Sequence, residues 1–278
     1  MQIIETFMQG KENNPMTCED GIFLSEKLLA VIDGVTTDGS WLRDGNKSGY
    51  AAKEVLRRSL QEVVNEEQSS LQREEDWGIL LLEQLDQALR NIVLLQGEKN
   101  VPLEAYPRAS IILYNDVTKE IVSYGDCQCR LNGVVHSHVK KIDELNADLR
   151  AYYLEYHLMH GETLQELAEN DSGRTAIEEN LRMQCTFENR LGQFGYPVLN
   201  GRGIEPSMIR TYKVRKGDEV ILASDGYPRL GQNLEESEAF LCQILQEDPM
   251  CFREYRATKG VKAGNVSFDD RAFCRFIV

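Results

Sequence analysis

The chain has 278 residues, 42% hydrophobic and 27% charged, and its 31 basic against 45 acidic side chains leave a formal charge of −14. This is the composition of an ordinary globular protein whose length suits one large layered domain better than two. The acidic excess repels phosphodiester backbones and anionic headgroups, so nucleic acid and membrane surfaces are excluded as expected partners.

No apolar run reaches bilayer length, and residues 1–5 lack the basic and apolar regions of a signal peptide, so a cytoplasmic location is expected. Seven scattered cysteines, an odd number, suit free thiols in a reducing compartment. Cys127 and Cys129 stand two apart, which on a strand gives one facing direction and a packing role.

In chain order, residues 1–7 read as a strand, followed by a polar turn at 10–15 and then by Cys18-Glu19-Asp20-Gly21, which opens a second strand at Ile22. Leu28-Leu29-Ala30-Val31-Ile32 is a short apolar run that stops at Asp33-Gly34, the pattern of a buried strand delivering a carboxylate to a sheet edge. An Asx turn would account for a lone Asp-Gly, and a bound cation or basic partner would account for a carboxylate held out of water.

Apolar residues at helical spacing predict helices over 49–65 and over 77–95, the second with Asp76 as N-cap. Strands follow at 109–114 and 120–124, the latter ending in Gly125-Asp126, and Asn132-Gly133 marks a hairpin. Successive strands without intervening helices predict an antiparallel meander rather than a parallel doubly wound sheet. Residues 140–203 turn helical in texture, with helices expected over 143–160, 163–168 and 172–188. His157 and His160 there have a spacing compatible with one metal, but no third zinc ligand accompanies them. Strands return at 208–214 and 219–224, the latter ending in Asp225-Gly226, and a helix is expected over 234–246. Asp269-Asp270 enters a terminal strand at 272–278.

Glu19, Asp20, Asp33, Asp126, Asp225, Asp269 and Asp270 all lie where a predicted strand meets a loop. An antiparallel sandwich can gather such ends into one cleft, and an oxygen-only ligand set suits magnesium or manganese rather than zinc. Two such ions orient a phosphoryl group for in-line attack by water, so phosphate ester hydrolysis is the implied chemistry.

Glu19-Asp20, Val31-Ile32-Asp33-Gly34, Tyr124-Gly125-Asp126, Ala223-Ser224-Asp225-Gly226 and Ser267-Phe268-Asp269-Asp270 stand in the order of the signature acids of the metal-dependent protein phosphatases, the type 2C family, which the chain resembles over nearly its whole length. The resemblance implies an α+β fold, a four-layer α-β-β-α sandwich with two central antiparallel sheets, in a single phosphatase-like domain over 1–278 with a variable helical insertion at about 140–203. It implies a serine/threonine phosphatase that hydrolyses phosphorylated protein substrates with two Mg2+ or Mn2+ ions and a possible third. Carried over by position, Asp33 would bridge the ions and the Gly34 carbonyl would join it. Asp225 and Asp269 would hold the first ion, Glu19 the second, with Asp20 beside it, and Asp126 the third. Asp33, Asp225 and Asp126 are the acids carried over as catalytic, acting on a water that bridges the two ions.

The chain departs from that family in three places. Val35-Thr36-Thr37 replaces a second glycine pair after Asp33-Gly34, Asp270 stands where asparagine is common, and Pro15 and Met16 occupy the region of an arginine that binds substrate phosphate. Lys11, Arg43, Arg108 and Arg229 are candidate replacements, each also readable as a surface charge. A weakly active or inactive phosphatase-fold binding module, and a small-molecule phosphomonoesterase, are the alternative functions.

Overall fold

The computed structural model describes residues 1–37, 47–66, 71, 76–95 and 101–278. Among these residues ten strands form two five-stranded sheets: β1 (Gln2–Gln9), β10 (Arg271–Ile277), β9 (Glu219–Ala223), β6 (Gln128–Leu131) and β7 (Val134–His136) in one, and β2 (Asp20–Leu24), β3 (Leu28–Val35), β4 (Arg108–Asn115), β5 (Glu120–Tyr124) and β8 (Arg210–Lys213) in the other. Every pairing between these strands is antiparallel. The expected α-β-β-α sandwich is what the chain adopts.

The two-residue period of β3 explains its place at the centre. Leu28, Ala30 and Ile32 face a helical layer, whereas Leu29 and Val31 face the other sheet, so the next residue on that side, Asp33, enters the space between the sheets. The helical layer is α1 (Ser48–Asn65) and α2 (Trp77–Leu95), with Ala52, Leu56, Leu60 and Val63 of the first and Leu81, Leu85 and Leu89 of the second buried against the sheet. Helix α2 begins one residue after Asp76, as its pattern predicts, and the buried Trp77 indole donates to Glu120 at 2.7 Å. Between the sheets lie Leu29, Val31, Ile112, Val220, Leu222, Cys274 and Phe276, together with Cys127 and Cys129 in the expected packing role.

The sequence predicts one meander through residues 109–135, and the chain instead splits it. After β5 it crosses to the other sheet at Gly125, whose φ of +122° is a glycine conformation and whose missing Cβ would lie 2.3 Å from the Ser110 hydroxyl oxygen. The crossover leaves Asp126 between the two sheets.

The outer face of the β1 sheet is covered by Leu230, Tyr227 and Leu234, the last opening α7 (Leu234–Glu247). Helix α3 (Lys141–Met159) packs Ala151 and Leu154 on Leu167 of α4 (Leu164–Glu169) and on Met250 and Phe252. The helix expected over 172–188 is broken. Ile177 is both the C-cap of α5 (Ser172–Ala176) and the N-cap of α6 (Glu178–Met183), and a 3-10 turn, Gln184–Phe187, follows. Residues 188–203 run irregularly rather than as helix and touch the sheet through the Ala109–Leu199 bridge. No helix among the described residues is long and apolar enough to cross a membrane.

Arg150, with no exposed surface, fastens α3 to two other segments. Its guanidinium reaches Asp171 through Nε at 3.0 Å and Nη2 at 2.7 Å, and the carbonyls of Cys251, Ala257 and Met250 at 3.1, 3.0 and 2.8 Å. All five of its N–H donors are engaged. Arg150→Ala is expected to cost about 3–5 kcal/mol by removing the cation from Asp171 and the donors from the buried Met250 and Ala257 carbonyls. Urea denaturation measures the loss, and a variant as stable as the parent would show that water replaces the guanidinium.

Candidate metal centre

Antiparallel alternation brings the C-terminal ends of β3, β5 and β9 and the N-terminal ends of β2, β4 and β10 to one end of the sandwich. Asp33, Asp126 and Asp225 meet there, each offering a carboxylate oxygen within 4.8 Å of the others. These three line a cleft of about 240 Å³ together with Gly34 and Asp269. Asp20 is the cross-strand partner of Asp33, and like charges directly opposed on a sheet repel.

Glu19 and Asp20 are buried, and Glu19 Oε1 and Asp20 Oδ2 have no hydrogen-bond partner among the described residues. A buried carboxylate oxygen without a partner calls for a cation or a proton. The backbone around Glu19 is shaped for close approach. A methyl at Gly49 would lie 2.5 Å from Glu19 Oε1 and 2.6 Å from the Gly34 carbonyl oxygen, so both oxygens converge on one point beside the start of α1. A methyl at Gly34 would lie 2.3 Å from the Gly49 carbonyl oxygen, which makes both glycines necessary.

Hydroxyls and ammonium groups orient the acids. Thr36 donates to Glu19, Ser110 donates to Asp126, and the Ser224 hydroxyl stands beside Asp20. Lys140 Nζ is 2.6 Å from Asp126, Lys259 Nζ is 2.6 Å from Asp269, and Lys11 Nζ lies 3.3, 3.0 and 3.5 Å from Asp269, Asp270 and Glu19. Asp270 also accepts from the backbone N–H groups of Lys11 and Glu19 at 2.7 and 3.2 Å. The aspartate found where asparagine is common therefore anchors the segment that carries Glu19.

Charge and burial pull these groups in opposite directions. Burial raises the Asp33 pKa well above the carboxylate range, and the charges of Asp225, Asp20 and Asp126 add to the rise. Burial likewise raises Asp20, and burial with the charges of Asp126 and Asp269 pushes Asp225 up to about 8. Burial opposes ionisation of Asp126 and Asp269 too, but Lys140 at the first and Lys259 and Lys11 at the second outweigh it and hold both below the usual range.

Several expectations resolve differently. Arg108 is buried rather than a surface charge, paired with Glu188 and donating to the carbonyls of Leu103, Glu104 and Tyr106, so it is not free for a ligand. Arg229 is exposed and stacks on Phe240, away from the cleft, while Lys11 lines it. Arg43 lies outside the described residues. His157 contacts Glu162 and His160 contacts the Tyr156 carbonyl, and neither joins an acid cluster. Lys140, Arg174 and Lys259 line the acid cleft without having been singled out in the sequence. The lysine following His138-Val139 near a predicted helix start was the available signal.

Without metal, Asp20, Asp33 and Asp225 keep protons in the folded chain that the unfolded chain loses near pH 4. Their contribution to stability is therefore full below that pH and is lost as pH rises through their raised folded-state values, which for Asp225 is about 8. Asp126 and Asp269 act in the opposite sense, but only below the ordinary carboxylate range. In EDTA the Tm is expected to fall from pH 5.5 to pH 8, and Asp225→Asn to recover part of the loss at the upper end. Scanning calorimetry checks this, and a metal-free Tm that climbs over this window would refute the repulsion.

No protein-family model matches the sequence, and no curated protein matches it. Solved structures do match its fold. The catalytic domain of the serine/threonine protein phosphatase PstP in complex with 2 manganese ions superposes at a TM-score of 0.53 with 13% identity over 100% of both chains. The Mycobacterium tuberculosis serine/threonine phosphatase PstP/Ppp gives 0.52 with 13% identity over 99% of this chain and 98% of that one. The Staphylococcus aureus serine/threonine phosphatase Stp1 gives 0.51 with 14% identity over 100% and 95%. The chain therefore has the fold of the type 2C serine/threonine phosphatases.

Proposed function

We propose that this protein is a metal-dependent phosphatase acting on phosphoserine and phosphothreonine in protein substrates, built as one domain with a helical insertion at about 140–203. The observation that carries the reading is the meeting of Asp33, Asp126 and Asp225 within 4.8 Å at the end of a sandwich whose fold is that of metal-dependent phosphatases. The donor set fits hard divalent ions, because it is all oxygen and includes the partnerless Glu19 Oε1 and Asp20 Oδ2. A solvated acidic surface would have no reason to bury such atoms.

Asp33, Asp225 and Asp269 would hold one magnesium or manganese ion, Asp33 with Glu19 and the Gly34 carbonyl a second, and Asp126 a third, with Asp20 beside the second. Such ions lower the pKa of water and offset charge on a phosphoryl group. The chain's own residues prepare the site. Thr36 fixes the Glu19 carboxylate, Ser110 and Lys140 fix Asp126, and Lys11 and Lys259 fix Asp269. The Gly34–Gly49 contact holds the start of α1 against the end of β3, which sets the spacing of Glu19 and Asp33.

One observation favours a second reading, a binding module with little turnover. Lys11, Lys140 and Lys259 already neutralise Asp269, Asp270 and Asp126, so part of the acid set is stable without ions. Turnover separates the two. Hydrolysis of p-nitrophenyl phosphate and of phosphothreonine peptides is expected with Mn2+ or Mg2+, abolished by EDTA and reduced at least about 100-fold in Asp33→Asn. An Asp33→Asn variant that keeps both its turnover and its calorimetric manganese affinity would remove Asp33 from the site, and a wild type that binds manganese without turnover would leave the binding module.

A further inference from the structure

The acid cleft opens beside a second cavity of about 490 Å³, and the two share Val35, Thr36, Lys140, Arg174, Leu181 and Gln184 as a common wall. The second cavity is lined largely by the segment from Arg174 to Val198. Four cations line the acid cleft among the described residues: Lys11, Lys140, Arg174 and Lys259. Each of the lysines is within 3.3 Å of a carboxylate. Arg174 is not. Among the described residues no carboxylate lies within 4.0 Å of its guanidinium, and its one side-chain hydrogen bond runs from Nη1 to the Thr258 carbonyl at 2.9 Å.

A half-buried guanidinium with most of its five donors unused, facing a site rich in carboxylates yet paired with none, is suited to a dianion that enters with the ligand. Its planar fork matches two phosphoryl oxygens, which a lysine ammonium cannot do. The other cations of the cleft, Lys11, Lys140 and Lys259, are committed to Asp269, Asp270 and Asp126. We propose that Arg174, from the helical insertion, binds the phosphoryl group of the substrate and the phosphate product, and that the chain flanking the phosphorylated residue lies in the adjoining cavity. The proposal rests on the phosphatase reading above.

The test uses the full chain loaded with manganese, with inorganic phosphate as the probe. Arg174→Gln keeps an N–H for the Thr258 carbonyl while losing the charge and the fork, and Arg174→Lys restores the charge. Arg174→Gln is expected to raise the Ki of inorganic phosphate and the KM for p-nitrophenyl phosphate about 10- to 100-fold, with manganese affinity and Tm unchanged and partial recovery in Arg174→Lys. Wild-type values of both constants in Arg174→Gln overturn the proposal. So does a fall in Tm or manganese affinity that matches the loss of phosphate binding, since that assigns Arg174 to holding the Thr258 loop. Absence of turnover in the wild type defeats the phosphatase reading rather than this one, because phosphate binding by calorimetry still decides. Binding that disappears in Arg174→Gln upholds the site, and binding that is equal in both or absent from both refutes it.

Discussion

Repulsion among carboxylates gathered at one end of the sandwich is the constraint to which the rest of the site answers. Asp20 faces Asp33 across a strand pair, and Asp33, Asp126 and Asp225 lie within 4.8 Å of one another, an arrangement that water would screen but a protein interior does not. The chain offsets this in two ways. Three lysines, each from a different segment, take up the charges on Asp126, Asp269 and Asp270. Asp33 and Asp225 have no such partner, and their carboxyls are driven toward protonation. Acids left electrically incomplete beside neighbours that are neutralised are the arrangement expected where a cation is to be admitted.

The strands and the acids were legible in the sequence for the same reason. An apolar run that gives way to an aspartate beside a glycine marks the end of β5 at Gly125-Asp126 and of β9 at Asp225-Gly226, and the same signal at Asp33-Gly34 falls two residues before the end of β3. Helices α1 and α2 were legible because their apolar stripes are regular. What one sequence cannot display is which sheet a strand joins. The β5-to-β6 crossover depends on a glycine torsion at Gly125, and the sequence pattern there is equally good for a continuing meander.

The cations of the cleft were hidden for a different reason. Lys140 precedes a charged helix and Arg174 sits in a short polar one, and in both places a basic residue is what a solvated face would carry. Only the tertiary path, which brings residues 140–188 over the cleft and fastens α3 through Arg150 to residues 250–257, gives these side chains a charged neighbourhood. Arg108 illustrates the converse. Its position near a strand start suited a ligand, yet burial against Glu188 and three carbonyls commits it to structure.

The crossover at Gly125 has a mechanical side. Asp33 is carried by one sheet and Asp225 by the other, with Asp126 on the tether between them, so the acids act as the jaws of a caliper set by the thickness of the sandwich. Side chains such as Val31, Cys127 and Leu222 fill the gap and fix the opening of those jaws. Any event that swells or shears the interior, such as oxidation of a buried thiol or enlargement of one of these residues, reaches the acids as a change of span without touching them.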